Sequence, residues 1–137
     1  MFDKKLVAVM NENKETGAVM NALAHMSFGL GASMIGKGEC RLTDYKDADG
    51  NSHKNISEMP FIVLKANSNK IRNLRKAAIE NSVQYVDFTN TMTIGTYIDQ
   101  IKASAETKEE YMEYYGIVLF GSWDKVTELT KKFSLWK

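Results

Sequence analysis

Four short runs of apolar residues alternate along this chain with segments whose apolar residues fall three and four apart. A short continuous apolar run is typical of a strand buried on both faces, whereas spacings of three and four indicate the buried stripe of a helix. The strands predicted in this way are Lys5–Met10, Phe61–Ala66, Gln84–Phe88 and Tyr115–Phe120. Such alternation predicts an α/β protein, because helices can then cover the faces of a sheet built from the strands.

Three helices are predicted between and after these strands. The first is Ala18–Leu30, and a run of glycines is expected to end it. The second follows Ser68 and the third follows Ser122, because a serine hydroxyl can accept a hydrogen bond from the free amides of a helix's first turn. The stretch Thr96–Glu113 is rich in charge and is predicted to be helical or irregular.

The most polar and least regular part of the chain lies between the first helix and the second core strand. Arg41–Lys46 and Lys54–Ile56 are predicted as the two arms of a β-hairpin with Asp49–Gly50 in its turn. The whole order of elements predicts a single α/β domain over residues 1–137. We expect a three-layer sandwich, with a small mixed sheet of about four core strands, helices on both faces and the hairpin as an insertion.

One polar segment in this region also matches part of a calcium-binding loop. Asp47, Asp49, Asn51 and Glu58 occupy the first, third, fifth and twelfth places of an EF-hand loop. Ser52, however, stands where that loop needs a glycine for its sharp turn, and the flanking segments are predicted as strands rather than helices. A hairpin turn is therefore the better interpretation, and no metal site is predicted.

The charge balance of the chain bears on its partners. With 18 lysine and arginine residues against 17 aspartate and glutamate residues, the net charge is +1. Proteins that grip nucleic acid through many phosphate contacts usually carry a clear basic excess. We therefore expect weak or no binding to nucleic acid.

Cysteine usage and hydrophobicity favour the cytoplasm. The single cysteine, Cys40, excludes an internal disulfide and is expected to be a buried thiol in a reducing compartment. No apolar run approaches the length of a membrane span, so no membrane partner is expected. Gly29 and Gly31 close a helix where a dinucleotide-binding motif must open one, and no cofactor is predicted.

Polar residues gather where the third predicted strand ends. Asp87, Thr89, Asn90 and Thr91 follow one another there, and Asn11 directly follows the first strand. If those two strands are parallel, Asn11 lies at the same sheet edge, which is where open α/β sheets usually hold a ligand. Two interpretations remain open, since Asp87 and Thr91 can equally well satisfy the amides of a turn.

Three segments of the chain resemble a known enzyme family. Gly17–His25 reads GAVMNALAH and resembles the Gly-Lys-x-x-x-Gln-x-x-His segment that opens the first helix of type II peptidyl-tRNA hydrolases. Phe61–Thr91 resembles that family's strand, helix, strand and Asp-x-Gly-Arg-Thr motif, and Tyr115–Lys137 resembles its last strand and helix. The chain is also similar to small bacterial proteins known only as a domain of unknown function (the DUF-two-thousand family). The resemblance implies a type II peptidyl-tRNA hydrolase-like fold and a homodimer.

The resemblance assigns candidate roles to individual residues. The family's aspartate falls on Asp87, its threonine on Thr91 and its helix histidine on His25, which makes these three the candidate catalytic residues. A histidine beside small residues on a helix is more often a packed, hydrogen-bonded side chain than an acid or base. The candidate ligand-binding residues are Asn11, Asn21, Thr89 and Asn90.

Several of the family's polar and cationic residues are missing from the matching positions. Its lysine falls on Ala18, its helix glutamine on Ala22 and its Gly-Arg pair on Thr89 and Asn90. The resemblance implies that the lysine and nearby basic residues serve the phosphate-rich end of the tRNA. Without them we expect little hydrolysis of peptidyl-tRNA and weak binding to bulk tRNA.

Two functions from different classes fit this set of residues. The first is a binding or regulatory protein that holds a small molecule or a peptide in one cleft bordered by Asp87, Thr91, Asn11 and His25. The alternative is a hydrolase of an ester or amide, in which Asp87 or His25 activates water. The missing cations favour the binding protein.

Overall fold

Seven strands and four α-helices make up the protein in a computed structural model that describes residues 2–39 and 41–137. Short 3₁₀ turns at Asn90–Met92 and Glu109–Tyr111 flank the third helix. In chain order the elements are β1 (Lys4–Asn11), α1 (Thr16–Ser33), β2 (Leu42–Lys46), β3 (Ser52–Ser57), β4 (Phe61–Ala66), α2 (Ser68–Glu80), β5 (Gln84–Thr89), α3 (Tyr97–Glu106), β6 (Tyr114–Ser122), α4 (Trp123–Thr130) and β7 (Ser134–Leu135).

The main sheet is mixed and has five strands in the order β5-β6-β1-β4-β7. β1 and β4 are parallel, whereas β6 runs antiparallel between β5 and β1. It follows that β1, β4 and β5 all point the same way, so their carboxyl ends lie along one side of the sheet. We call that side, with Asn11, Ala66 and Thr89 at the strand ends and Tyr114 at the start of β6, the carboxyl edge.

Each face of the main sheet is covered by helix. Successive strand residues point to opposite faces, so each strand can contribute side chains to both covered faces. The face that carries α1 buries one set of side chains, and the face that carries α2 and α4 buries another. On the α1 face these include Leu6, Ala8, Met10, Val19, Ala22, Met26, Leu30, Phe88 and Val118. On the α2 face they include Val7, Val9, Ile71, Leu74, Ala78, Ile117, Leu119 and Val126. The α/β architecture with helices on both faces is thus as expected.

The first helix is longer than its sequence pattern predicts. It continues through Gly29 and Gly31 and ends after Ser33, so those glycines do not end it. The turn that follows contains Gly36 and Gly38 with φ angles of 81° and 69°, a left-handed conformation that glycine adopts without a steric penalty. The chain therefore changes direction in the turn that contains the later pair of glycines, after the helix has ended.

The cap of α2 differs from the predicted one. Asn67, not Ser68, is the capping residue, and its side chain accepts a hydrogen bond from the Lys70 amide at 2.9 Å. Ser68 is instead the first helical residue, and its hydroxyl accepts a hydrogen bond from the Tyr114 amide at 2.8 Å. The predicted cap of the last helix is confirmed, since the Ser122 hydroxyl accepts from the Lys125 amide.

The predicted hairpin is confirmed as a separate two-stranded sheet of β2 and β3. Asp47 closes its turn, because its carboxylate accepts hydrogen bonds from the Asp49 and Asn51 amides at 3.0 and 2.9 Å. The same side chain contacts the His53 ring at 3.0 Å. The Asp47 carboxylate therefore acts locally to shape a turn that lies between two strands and not between two helices.

The sequence leaves Thr96–Glu113 open between helical and irregular, and the structure shows a helix there; the sequence gives no signal for β7. α3 begins at a capping box in which Thr96 and Asp99 exchange hydrogen bonds, and the structure describes no buried residue in this helix. β7 has only two residues and pairs antiparallel with the outer side of β4. Within the described residues no helix is long and apolar enough to cross a membrane. Cys40, expected to be a buried thiol, lies outside the described residues.

The identity of the α2 cap can be tested with one substitution at two asparagines. Asn67→Ala removes the side-chain acceptor of the helix's first turn, and we expect it to lower the free energy of unfolding by about 1 kcal/mol. Asn73→Ala is the matched control at an exposed site inside the same helix. There alanine has the better helix propensity, and stability should rise by up to about 0.7 kcal/mol. Urea denaturation measures the free energy of unfolding of both variants. Equal changes in the two would contradict the assignment of Asn67 as the cap.

Candidate functional site

Asn11 joins β1 to β6 at the carboxyl edge. Its amide nitrogen donates to the Tyr114 carbonyl at 2.8 Å, and its side-chain oxygen accepts from the Asn13 amide at 2.8 Å. Only 1% of its surface is exposed. Asn11 is thus at the predicted edge, with both ends of its side chain bonded to the protein's own backbone.

The polar residues after β5 are bonded within the fold in the same way. The Asn90 backbone amide donates to the Glu113 carbonyl, and the Asn90 side-chain oxygen accepts from the Glu113 amide, both at 2.9 Å. The Thr89 and Thr91 hydroxyls lie 2.7 Å apart, and Thr91 lies 2.7 Å from the Ser104 hydroxyl of α3. Both threonines are buried. The cluster predicted at the end of β5 therefore ties that strand to β6 and to α3.

Asp87 faces the α2 side of the sheet. It pairs in register with Ile117, which belongs to the core beneath α2, and its carboxylate accepts a hydrogen bond from Arg75 Nε of α2 at 3.0 Å. Burial raises the pKa of the Asp87 carboxyl above its ordinary value, and the Arg75 hydrogen bond and charge oppose that shift. The Arg75 guanidinium lies 5.5 Å from the centroid of the Tyr85 ring. Asp87 is thus a partly buried carboxylate in an ion pair.

A second polar network lies on the same face beside Asp87. The Tyr114 hydroxyl donates to Glu109 Oε2 at 2.8 Å, and Arg72 Nε donates to the same oxygen at 2.8 Å. Arg72 also donates to the Met112 carbonyl. Burial and the bond to Glu109 raise the pKa of Tyr114, and the Tyr114 and Arg72 hydrogen bonds lower the pKa of Glu109. Sequence reasoning missed this network, because its members are up to 42 positions apart and only the fold brings them together.

His25 lies on the other face of the sheet. It is an exposed residue of α1, and its ring centroid is 6.2 Å from that of Phe88, whose side chain belongs to the core beneath α1. Asp87 and Phe88 are consecutive residues of a strand, so their side chains point to opposite faces. The prediction that His25 and Asp87 border one cleft is therefore wrong. His25 is also exposed, whereas the alternative interpretation was a packed histidine.

The exposed flank of α1 near the carboxyl edge carries the remaining candidates. Asn21 is exposed and lies one helical turn before His25, so the two side chains share a flank of the helix. Phe88 lies 6.1 Å from the Tyr115 ring, over which Lys14 Nζ sits at 5.2 Å. Lys14 is paired with Glu113 at 2.6 Å, and this hydrogen bond raises the pKa of the lysine. We call Lys14, Asn21, His25 and Tyr115 the His25 surface, beneath which the Phe88 ring is buried.

The structure offers no metal site in the part of the chain that it describes. No group of three or more histidine, cysteine, aspartate or glutamate side chains converges there in a way that could hold an ion. A cavity of about 680 Å³ lies at the opposite end of the sheet, between Phe2, Pro60 and Trp123. That cavity is remote from every residue predicted to form the site.

Fold and site together define an α/β protein whose strand-end polar residues are bonded within the fold. The chain belongs to the family described as a protein of unknown function (DUF2000), whose model matches residues 4–137. It is similar to the solved structure of a protein of unknown function from Agrobacterium tumefaciens strain C58, with 20% identity, a TM-score of 0.85 and 100% of both chains covered. At that identity the likeness shows the fold alone. No curated protein matches the chain.

The pH dependence of stability can separate the two influences on Asp87. A carboxyl whose pKa is higher in the folded than in the unfolded protein stabilises the fold at low pH, and this contribution is lost as the pH rises through the folded pKa. We therefore expect the stability of the natural protein, relative to Asp87→Asn, to fall as the pH rises from about 4 to about 7. Urea denaturation of both proteins across that range measures the difference. A relative gain in stability with rising pH would mean that the Arg75 ion pair outweighs burial.

Proposed function

We propose that this chain is a binding protein for a small molecule or a peptide, and not a peptidyl-tRNA hydrolase. One observation carries the proposal. Asn11, Thr89 and Thr91 at the strand ends are buried and bonded within the fold, whereas His25 and Asn21 on α1 are exposed. A ligand can bind to an exposed polar flank beside aromatic rings without breaking the hydrogen bonds that hold the strand ends together.

The resemblance to type II peptidyl-tRNA hydrolases supports the same proposal through what is missing. Peptidyl-tRNA cleavage needs cations for the tRNA end and a positioned group that activates water. Ala18, Ala22 and Asn90 stand where the resemblance expects lysine, glutamine and arginine. Asp87 and His25, the two titratable candidates, lie on opposite faces of the sheet and cannot act on the same water molecule.

The His25 surface suggests which contacts a ligand would make. The imidazole of His25 and the amide of Asn21 can donate and accept hydrogen bonds. The partly exposed ring of Tyr115 can supply apolar contact, since aromatic rings combine a large apolar area with few rotatable bonds. Lys14 is held over that ring and is neutralised by Glu113. A ligand with one planar apolar group and one neutral polar group therefore fits this surface best.

The homodimer and the cytoplasmic location stay predictions. The small residues of α1 do not form one exposed face on which a dimer could pack, because Ala22 is fully buried while Ala18 and Gly29 are exposed. A dimer formed through α1 would therefore use its exposed small residues and not Ala22.

The hydrolase alternative is tested by turnover of a purified peptidyl-tRNA, with an active type II enzyme assayed alongside. We expect little or no turnover, because losing a group that binds the substrate or positions the attacking water typically costs about two to four powers of ten in rate. A rate comparable to that of the active enzyme would overturn the proposal and establish the hydrolase in its place.

The binding site is tested by a thermal-shift screen with nucleotides, amino acids and other metabolites. A compound that binds only the folded state raises its melting temperature. We expect His25→Ala to remove the shift and His53→Ala to retain it, because His53 is also an exposed histidine but lies in β3 of the hairpin. Equal shifts in the two variants would exclude the His25 surface as the binding site.

A further inference from the structure

A second, apolar cleft lies on the other flank of α1, between that helix, the base of the hairpin and the start of β4. Its volume is about 180 Å³, and Leu30, Met34, Met59 and Phe61 supply apolar walls. Ser27 of this cleft follows His25 by two positions, which is about 200° around an α-helix. The cleft is thus separate from the His25 surface, and binding here is independent of the function proposed for that surface.

The rim of the cleft carries no uncompensated charge among the residues described there. Arg41 is paired with Glu58 and lies over the Phe2 ring at 4.8 Å. The Ser57 hydroxyl both donates to the Met59 carbonyl and accepts from the Met59 amide, each at 3.2 Å. An ion entering the cleft would have to displace these partners, whereas a neutral apolar molecule would leave them intact.

Gly31 leaves part of this space open. It lines the cleft, and a Cβ atom added to it would meet no other atom within 4 Å. A glycine inside a helix costs about 1 kcal/mol relative to alanine, and here no steric contact requires it. The helix therefore retains a destabilising glycine at the wall of the cleft, and a larger side chain at this position could fill the cleft.

We propose that this cleft is a binding site for a small neutral apolar molecule about the size of one or two fused aromatic rings. Size and lining carry the assignment: an apolar cavity of roughly 150 Å³ lined by aliphatic and aromatic side chains stays dry and takes up benzene in another protein. Transfer of such a molecule from water is favourable because its apolar surface is buried against the cleft walls.

The test uses indole as the probe in an NMR titration of the whole ¹⁵N-labelled protein. We expect saturable shifts at the cleft residues in the natural protein. Gly31→Leu places a side chain in the cleft and should weaken binding at least tenfold. Gly29→Leu is the matched control, since it makes the same change two positions away on the exposed side of α1, and it should bind indole as the natural protein does.

Further variants and probes keep the proposal open to failure. Ser27→Leu fills the same cleft from the preceding turn of α1 and should also weaken binding, so that one poorly folded variant does not decide the outcome. Circular dichroism confirms that each variant is folded. Shifts that do not saturate, or equal binding by Gly31→Leu and the natural protein, would overturn the site. Tighter binding of hexanoate than of indole would overturn the neutral chemistry assigned to the ligand.

Discussion

The antiparallel insertion of β6 between β5 and β1 is the constraint on which the rest of the structure depends. Its residues from Gly116 to Phe120 are buried between the helices of both faces, and its start lies at the ends of two strands that run the other way. Asn11 bonds to the Tyr114 carbonyl there, and Asn90 bonds to Glu113. The polar residues at the ends of the strands therefore hold the strands to one another.

Much of the fold could be predicted from the sequence, because its main elements depend on local patterns. All four core strands, three of the helices and the hairpin follow from apolar periodicity and turn residues. The sequence favours Ser68 as the cap of α2, but the cap is Asn67. The Ser68 hydroxyl instead accepts a hydrogen bond from the amide of Tyr114, a residue 46 positions later. β7 could not be predicted, because its two residues are too few to show the alternation of apolar and polar side chains typical of a strand.

The candidate site could be predicted in position but not in arrangement. Asn11 and Thr89–Thr91 do meet at one edge, as the parallel direction of β1 and β5 requires. The side to which Asp87 points depends on which helix covers which face, and the sequence of β5 does not contain that information. Its partner Arg75 and the Thr91 partner Ser104 come from helices that only the folded chain brings near. Resemblance to an enzyme family placed Asp87 and His25 in one site, and the alternation of a single strand separates them.

The central claim is that the strand-end polar residues hold the sheet together, whereas His25 is available for binding. The most direct measurement is the free energy of unfolding of two alanine variants in urea. Asn11→Ala leaves the Tyr114 carbonyl and the Asn13 amide without their partner, and it should cost about 1–3 kcal/mol. His25→Ala removes an exposed side chain and should change stability by no more than about 0.5 kcal/mol. A stable Asn11→Ala protein, or a large loss of stability in His25→Ala, would contradict this account.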